Sequence, residues 1–239
     1  MLLIGLVRRL LVLAVILAIP VVAGEFVVRK LVGDAVAGAV RARIGVATHI
    51  SLGSGPVLLE LAKGRLNDVT VRASGAHITG LPPVALTATL NDVHLTHLTS
   101  LEGAIGSLRV DARVGVAGVR ELLASSSCAG ALPADVRSAL TATPRVLLFP
   151  GRIDLLPPAG RRAEVRLRPL ARRSGLAFAL IGIVRAGVPA AVSAVSAPVL
   201  CVRTLGSLPF GATVASVATT AGALDVKLRA AGASFSALG

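Results

Sequence analysis

Two periodicities divide the chain. From Glu25 to Ile44 the apolar residues Val28, Leu31, Val32, Ala35, Val36, Ala39, Val40 and Ile44 recur every three or four positions, with Arg29, Lys30, Asp34, Arg41 and Arg43 between them. That spacing predicts one long amphipathic helix whose apolar stripe must cover something. After Gly45 the period drops to two. Val46, Thr48, Ile50 and Leu52 alternate with Ala47, His49 and Ser51, and the same alternation returns at Val69–Arg72, Val84–Asn91 and Leu108–Val116. Repeated strands with one apolar face predict an antiparallel sheet that is wet on its other side. Gly75, Gly80-Leu81-Pro82-Pro83 and Gly103 are its expected turns.

The stretch Pro56–Ser74 changes character halfway. Val57–Lys63 is built of good helix formers, Gly64 and Asn67-Asp68 punctuate it, and Asn67–Ser74 alternates as a strand. This is a helix-to-strand corner that would close one end of the sheet. Further on, Val119–Ala142 reads as two short helices broken near Ser125–Gly130. Arg145–Leu156 is a strand pattern with a turn or bulge at Gly151, and Ala163–Leu170 is another strand. Gly175–Val199 is almost wholly apolar, but Gly182, Gly187, Pro189 and Pro198 interrupt it and Arg185 lies near its centre. It therefore reads as a buried strand followed by a short helix rather than a membrane span. Thr213–Thr219 and Ala223–Ala230 form a closing hairpin. The elements add up to an α+β fold, with residues 25–239 as one domain.

The 24 residues before that domain have the layout of a secretory signal: Arg8 and Arg9, an unbroken apolar run Leu10–Ile19, and small or medium residues before a possible cut after Ala23. The alternative is a retained membrane anchor, although Leu10–Gly24 is shorter than the roughly 20 residues a spanning helix needs. Either way the body belongs outside the cytoplasm, in the cell envelope or periplasmic space, associated with a membrane. This placement changes the meaning of the charge. A formal +13, from 25 Lys and Arg against 12 Asp and Glu, would otherwise suggest nucleic acid. In an exported protein the anionic partners are lipids and wall polymers. Cys128 and Cys201, the only cysteines, are in that compartment either a disulfide pair or two buried thiols. With no Trp, no Tyr and five Phe, the core must be aliphatic.

Catalytic and metal-binding signatures are missing from the sequence: it has no GxSxG, GxxxxGK[ST], GxGxxG or HExxH pattern. His94 and His97 are three apart, which puts them on opposite faces of a strand, so they would not share a metal. No pair among the 12 carboxylates suggests acid–base work. The densest charge is Arg161–Arg173, where Arg162, Glu164, Arg166 and Arg168 would line one strand face and Ala163, Val165 and Leu167 the other. Such a surface either pairs guanidinium forks with the phosphate of an anionic amphiphile or is a solvated outer face.

The order of these parts resembles the LmeA family of actinobacterial phospholipid-binding envelope proteins. The resemblance rests on the block Pro56, Leu58, Leu61, Gly64, Arg65, Val69, Val71 and on Leu208-Pro209-Phe210-Gly211 with the hairpin after it. The family block often has Phe after the Pro, where this chain has Val57. The resemblance implies a tubular, lipid-binding fold in which a curved antiparallel sheet wraps the long N-terminal helix. It also implies binding of phosphatidylinositol-type anionic phospholipid and a supporting role in lipoglycan assembly. On that basis Leu31, Val32 and Val36 would meet acyl chains, Leu58, Leu59 and Leu61 would be lid residues at one end of the tube, and Arg65, Arg166 and Arg168 would meet the headgroup. The protein would be a binding module with no catalytic residue, metal or cofactor and no nucleic-acid partner. The competing readings are a structural envelope protein with a dry core and an enzyme acting on lipid or glycan.

Overall fold

The computed structural model describes residues 24–34, 37–38, 41, 46–97, 102–124, 145–156, 163–185, 188–191, 199–206 and 208–235. The chain is helical over 24–34 (α1). The rest of the expected long helix lies mostly outside the described residues, and so does the second of the two short helices expected before Ala142. What is described is mainly antiparallel sheet. Strands β1 (Thr48–Leu52), β2 (Arg65–Leu66), β3 (Val69–Ala76), β4 (Val84–His97) and β5 (Glu102–Gly115) join β12 (Thr213–Thr220) and β13 (Ala223–Phe235) in a seven-stranded sheet. Its order is β1-β3-β4-β5-β13-β12, with β2 added against β4. A second sheet of six strands holds β6 (Arg145–Phe149), β7 (Arg152–Leu156), β8 (Ala163–Arg172), β9 (Gly175–Arg185), β10 (Val188–Ala191) and β11 (Val199–Thr204).

Two open sheets thus replace the single curved sheet expected from the sequence. One apolar core is shared between them. Val71, Leu86, Val110, Val114, Val226 and Leu228 contribute from the first sheet, and Ile153, Leu155, Val165, Leu167, Phe178 and Leu180 from the second. Helix α3 (Val116–Ala124) buries Val119, Leu122 and Leu123 in the same cluster. Strand β12, at one edge of the first sheet, packs against β8 of the second. Two backbone bonds reinforce that join: Val214 N–H donates to Arg173 O at 3.2 Å, and Gly151 N–H donates to Thr219 O at 3.3 Å.

Three local expectations are corrected. The short helix expected late in Gly175–Val199 is, over Val188–Ala191, a strand that folds back on β9, because an apolar Val/Ala segment beside an open sheet edge gains a hydrogen-bonded ladder there. Gly103 is not a turn: it lies in β5, opposite Leu95 on one side and Phe235 on the other. Gly75 is not a turn between strands either, but a left-handed position (φ 76°) inside β3 where the register with β4 shifts.

Candidate functional site

The Pro56–Ser74 corner folds as its pattern requires. Helix α2 (Val57–Ala62) ends at Gly64, whose φ of 65° only glycine adopts without strain, and the chain then enters β2 and β3. Gly64 O accepts from Leu95 N–H at 2.8 Å, which ties the end of α2 to β4. Glu60 accepts from both the backbone and the side-chain amide of Asn67 at 3.0 Å, which fixes the loop between α2 and β3.

The start of α2 is held differently. Pro56, at its N-cap, offers no side-chain acceptor. Glu25 of α1 supplies it instead: Val57 N–H donates to Oε1 at 2.6 Å and Leu58 N–H to Oε2 at 2.9 Å. One turn further along α1, Arg29 donates to Gly53 O and Gly55 O at 2.7 Å each and to Leu52 O at 3.3 Å, and pairs with Glu25. A carboxylate on two helix-start amides and a guanidinium on three loop carbonyls clamp α1 to the end of β1 and to α2. The Leu58 N–H bond is the main cause that holds the Glu25 carboxyl below its usual range, with Val57 N–H and Arg29 adding to it and desolvation opposing. A depressed carboxylate pKa means the clamp contributes fully above the ordinary value of 4.5 and is lost as pH falls through the lower folded value. Glu25→Ala is expected to raise amide exchange at Val57 and Leu58 at neutral pH, after correction for intrinsic rates. The same amides should lose protection in the native chain only well into the acid range.

The clamp orients side chains that sequence reasoning assigned to lipid. Leu31 is 62% exposed and Leu59 51%, while Val32 and Leu61 are half-buried against the core, Leu58 is half-buried, and Val36 lies outside the described residues. Two residues not foreseen join the exposed set: Phe26 at 71% and Val27 at 59%. The apolar stripe of α1 is therefore not simply turned inward. Val28 and Val32 pack on the core, while Phe26, Val27 and Leu31 face outward beside the exposed Lys30. No helix among the described residues is long and apolar enough to cross a membrane.

The three cations assigned to a headgroup lie on two sheets, Arg65 in the first and Arg166 and Arg168 on β8 of the second. Arg65, in β2, pairs with Asp92, a residue at φ 57° in β4 that also faces His94 at 3.2 Å. The bond from Arg65 is the main cause that keeps the Asp92 carboxyl below its ordinary range. Arg166 pairs with Glu164 at 2.9 Å, and that bond raises its pKa. Arg168 is exposed and has no carboxylate partner among the described residues. Opposite Arg166 in the register lies Asp154, buried on β7 with Arg152 Nε at 3.0 Å; burial pushes its carboxyl up against the pull of Arg152. Arg152 also stacks over Phe149, 4.8 Å from the ring centre. Nothing in the local sequence marks Asp154 as buried, since it sits in an alternation that reads as solvent-facing. Cys201 is buried on β11, and Cys128 lies outside the described residues. No group of three His, Cys, Asp or Glu that could hold a metal occurs among the described residues.

The described residues thus form an aliphatic core under two antiparallel sheets, beside a corner that turns large apolar side chains outward, a surface that suits an amphiphile. Comparison with known families makes this specific: residues 23–229 match the model of the LmeA-like phospholipid-binding family, and the chain belongs to that family. Neither the curated proteins nor the solved structures contain a significant match.

Proposed function

We propose that the protein is exported to the cell envelope, rests on a membrane through the α1–α2 corner and holds an anionic phospholipid there, without catalysing a reaction on it. The observation that carries this reading is the exposure of Phe26, Val27 and Leu31 on α1, directly after the apolar stretch Leu10–Gly24 in sequence, and of Leu59 on the helix clamped to it. Large apolar side chains held in water beside such a stretch are stabilised when they enter the acyl region of a leaflet, each worth roughly 1.5–3 kcal/mol if fully buried. Acyl chains then enter beneath Val28, Val32 and Leu61, where α1 meets the core. Exposed cations such as Lys30, Lys63 and Arg168 meet the headgroup phosphates of the leaflet. A supporting role in lipoglycan assembly, with a phosphatidylinositol-type headgroup, extends the same reading and rests on family membership.

Native mass spectrometry of the gently extracted protein is expected to show a bound phospholipid of defined mass. Leu31→Asp combined with Leu59→Asp should abolish association with anionic liposomes while leaving the far-UV circular dichroism unchanged. A lipid-free protein that ignores anionic liposomes would overturn the reading, and turnover of a lipid abolished by one point substitution would replace it with an enzymatic one.

A further inference from the structure

The outer face of the seven-stranded sheet carries lateral rows of residues set by strand register. One row runs Ser51, Thr70, Thr89, Arg109, Arg229, Thr213 across β1, β3, β4, β5, β13 and β12. Arg109 and Arg229 are directly opposite one another, both exposed, in the middle of the most extensively paired part of the sheet. Like charges at directly opposed positions destabilise a sheet, so this arrangement costs free energy unless something of opposite charge lies between them.

The protein does not supply that charge. In the neighbouring rows every basic residue of β5 and β13 has a carboxylate: Lys227 faces Asp111 at 4.0 Å, and Arg113 faces Asp225 at 3.7 Å. Among the described residues Arg109 and Arg229 have neither an ion pair nor a hydrogen bond. Their own row contains no acceptor-only group at all. It offers two guanidinium forks with hydroxyls on both flanks, Thr89 beside Arg109 and Thr213 beside Arg229. Both arginines are exposed, so the space above them is reachable from solvent, and an open groove of about 810 Å³ lies at the next row, lined there by His49, Arg72, Thr87, Asp111 and Lys227.

We propose that Arg109 and Arg229 form a binding site for a phosphate oxyanion, taken as a phosphomonoester or phosphodiester. The tetrahedral anion has enough acceptor oxygens for a fork from each arginine, and its charge removes the repulsion across the β5–β13 pair. The phosphate can belong to a soluble molecule or to a lipid headgroup, since only the oxyanion is recognised. The site uses no residue of the α1–α2 corner and needs no acyl chain, so it stands independently of the function proposed above.

The test uses the full chain and two probes. Inorganic phosphate is expected to raise the thermal midpoint, followed by far-UV circular dichroism, whereas chloride at matched ionic strength leaves it in place. In Arg109→Gln with Arg229→Gln the phosphate response should weaken by about tenfold or more, because charge-assisted hydrogen bonds are lost. The phosphate-free midpoint of that variant should equal or exceed the native one because the opposed charges are gone, which separates loss of the site from loss of the fold. The second probe is phosphatidylcholine vesicles with and without phosphatidylglycerol. Binding of the glycerol-lipid vesicles that depends on both arginines, without a response to inorganic phosphate, supports the site and assigns the phosphate to a headgroup; a response to both supports it for either source. An equal response to chloride, an undiminished response in the double variant, or no response to either probe overturns the proposal. Leu31→Asp with Leu59→Asp should leave the inorganic-phosphate response intact, so failure of the corner and failure of this site are distinguishable.

Discussion

Replacing Phe178 by Ala is expected to lower the unfolding free energy by about 3–5 kcal/mol. Phe178 is, among the described residues, the fully buried aromatic of a chain that has only five Phe and otherwise packs Val, Leu, Ile and Ala. It sits on β9 opposite Pro169 of β8 and Cys201 of β11, and it points with Leu176 and Leu180 into the core between the sheets. Removing the ring leaves a void whose walls are β-branched and aliphatic side chains fixed by two hydrogen-bonded neighbours, so collapse into it is limited. Against a typical total of 5–15 kcal/mol, the loss is a large fraction of the stability. Urea unfolding followed by far-UV circular dichroism measures it, since the chain has no Trp or Tyr for fluorescence. A loss below about 1 kcal/mol would mean that the core repacks freely around position 178.

The second large effect is expected at Gly175, the first residue of β9. A Cβ there would fall on the Arg203 carbonyl oxygen of β11 and lie 2.9 Å from its carbonyl carbon and 3.0 Å from the Thr204 Cα. Backbone atoms cannot swing aside as a side-chain tip can, and this segment is further held by the 2.9 Å bond from Leu205 N–H to Ser174 O. Gly175→Ala therefore has to separate β11 from β9 or shift both, at a cost of about 1–3 kcal/mol or more. Gly115→Ala is the control: its Cβ would meet nothing within 4 Å and its backbone is not left-handed, so the change is expected to be near neutral. Hydrogen exchange should place the damage in Gly175–Leu180 and Val199–Thr204, with the β5–β13 ladder still protected.

What the sequence discloses follows from how local its causes are. The Pro56–Ser74 corner is legible because each of its determinants lies within a few residues of its effect: helix formers, then a glycine at a left-handed position, then an alternation. The β6–β7 and β12–β13 hairpins are legible for the same reason, with Gly151 and Gly222 at φ 75° and 85° where the turns reverse. The strand β10 is not legible, since Val and Ala in short apolar runs carry no period and only the open flank of β9 decides their conformation. The first residues of β5 are masked by Gly103 and Gly106, which look like turn residues. A Cβ at Gly106 would come within 2.8 Å of the Asp92 Cβ on the bulged partner strand, so this glycine serves strand pairing rather than chain reversal. The family block and the apolar residues of α2 could be found, but the bond of Glu25 to α2 spans more than 30 positions and leaves no pattern in the chain. The confrontation of Arg109 and Arg229 likewise exists only once β5 and β13 are in register.

The Glu25–Arg29 clamp also determines posture. Helix α1 is joined to α2 and to the end of β1 by one carboxylate and one guanidinium. On the membrane contact proposed above, a tilt of α1 would pass through this joint to the seven-stranded sheet, much as a wrist passes rotation to a hand. The outer face with its opposed Arg109 and Arg229 would then be presented at an angle set by two side chains.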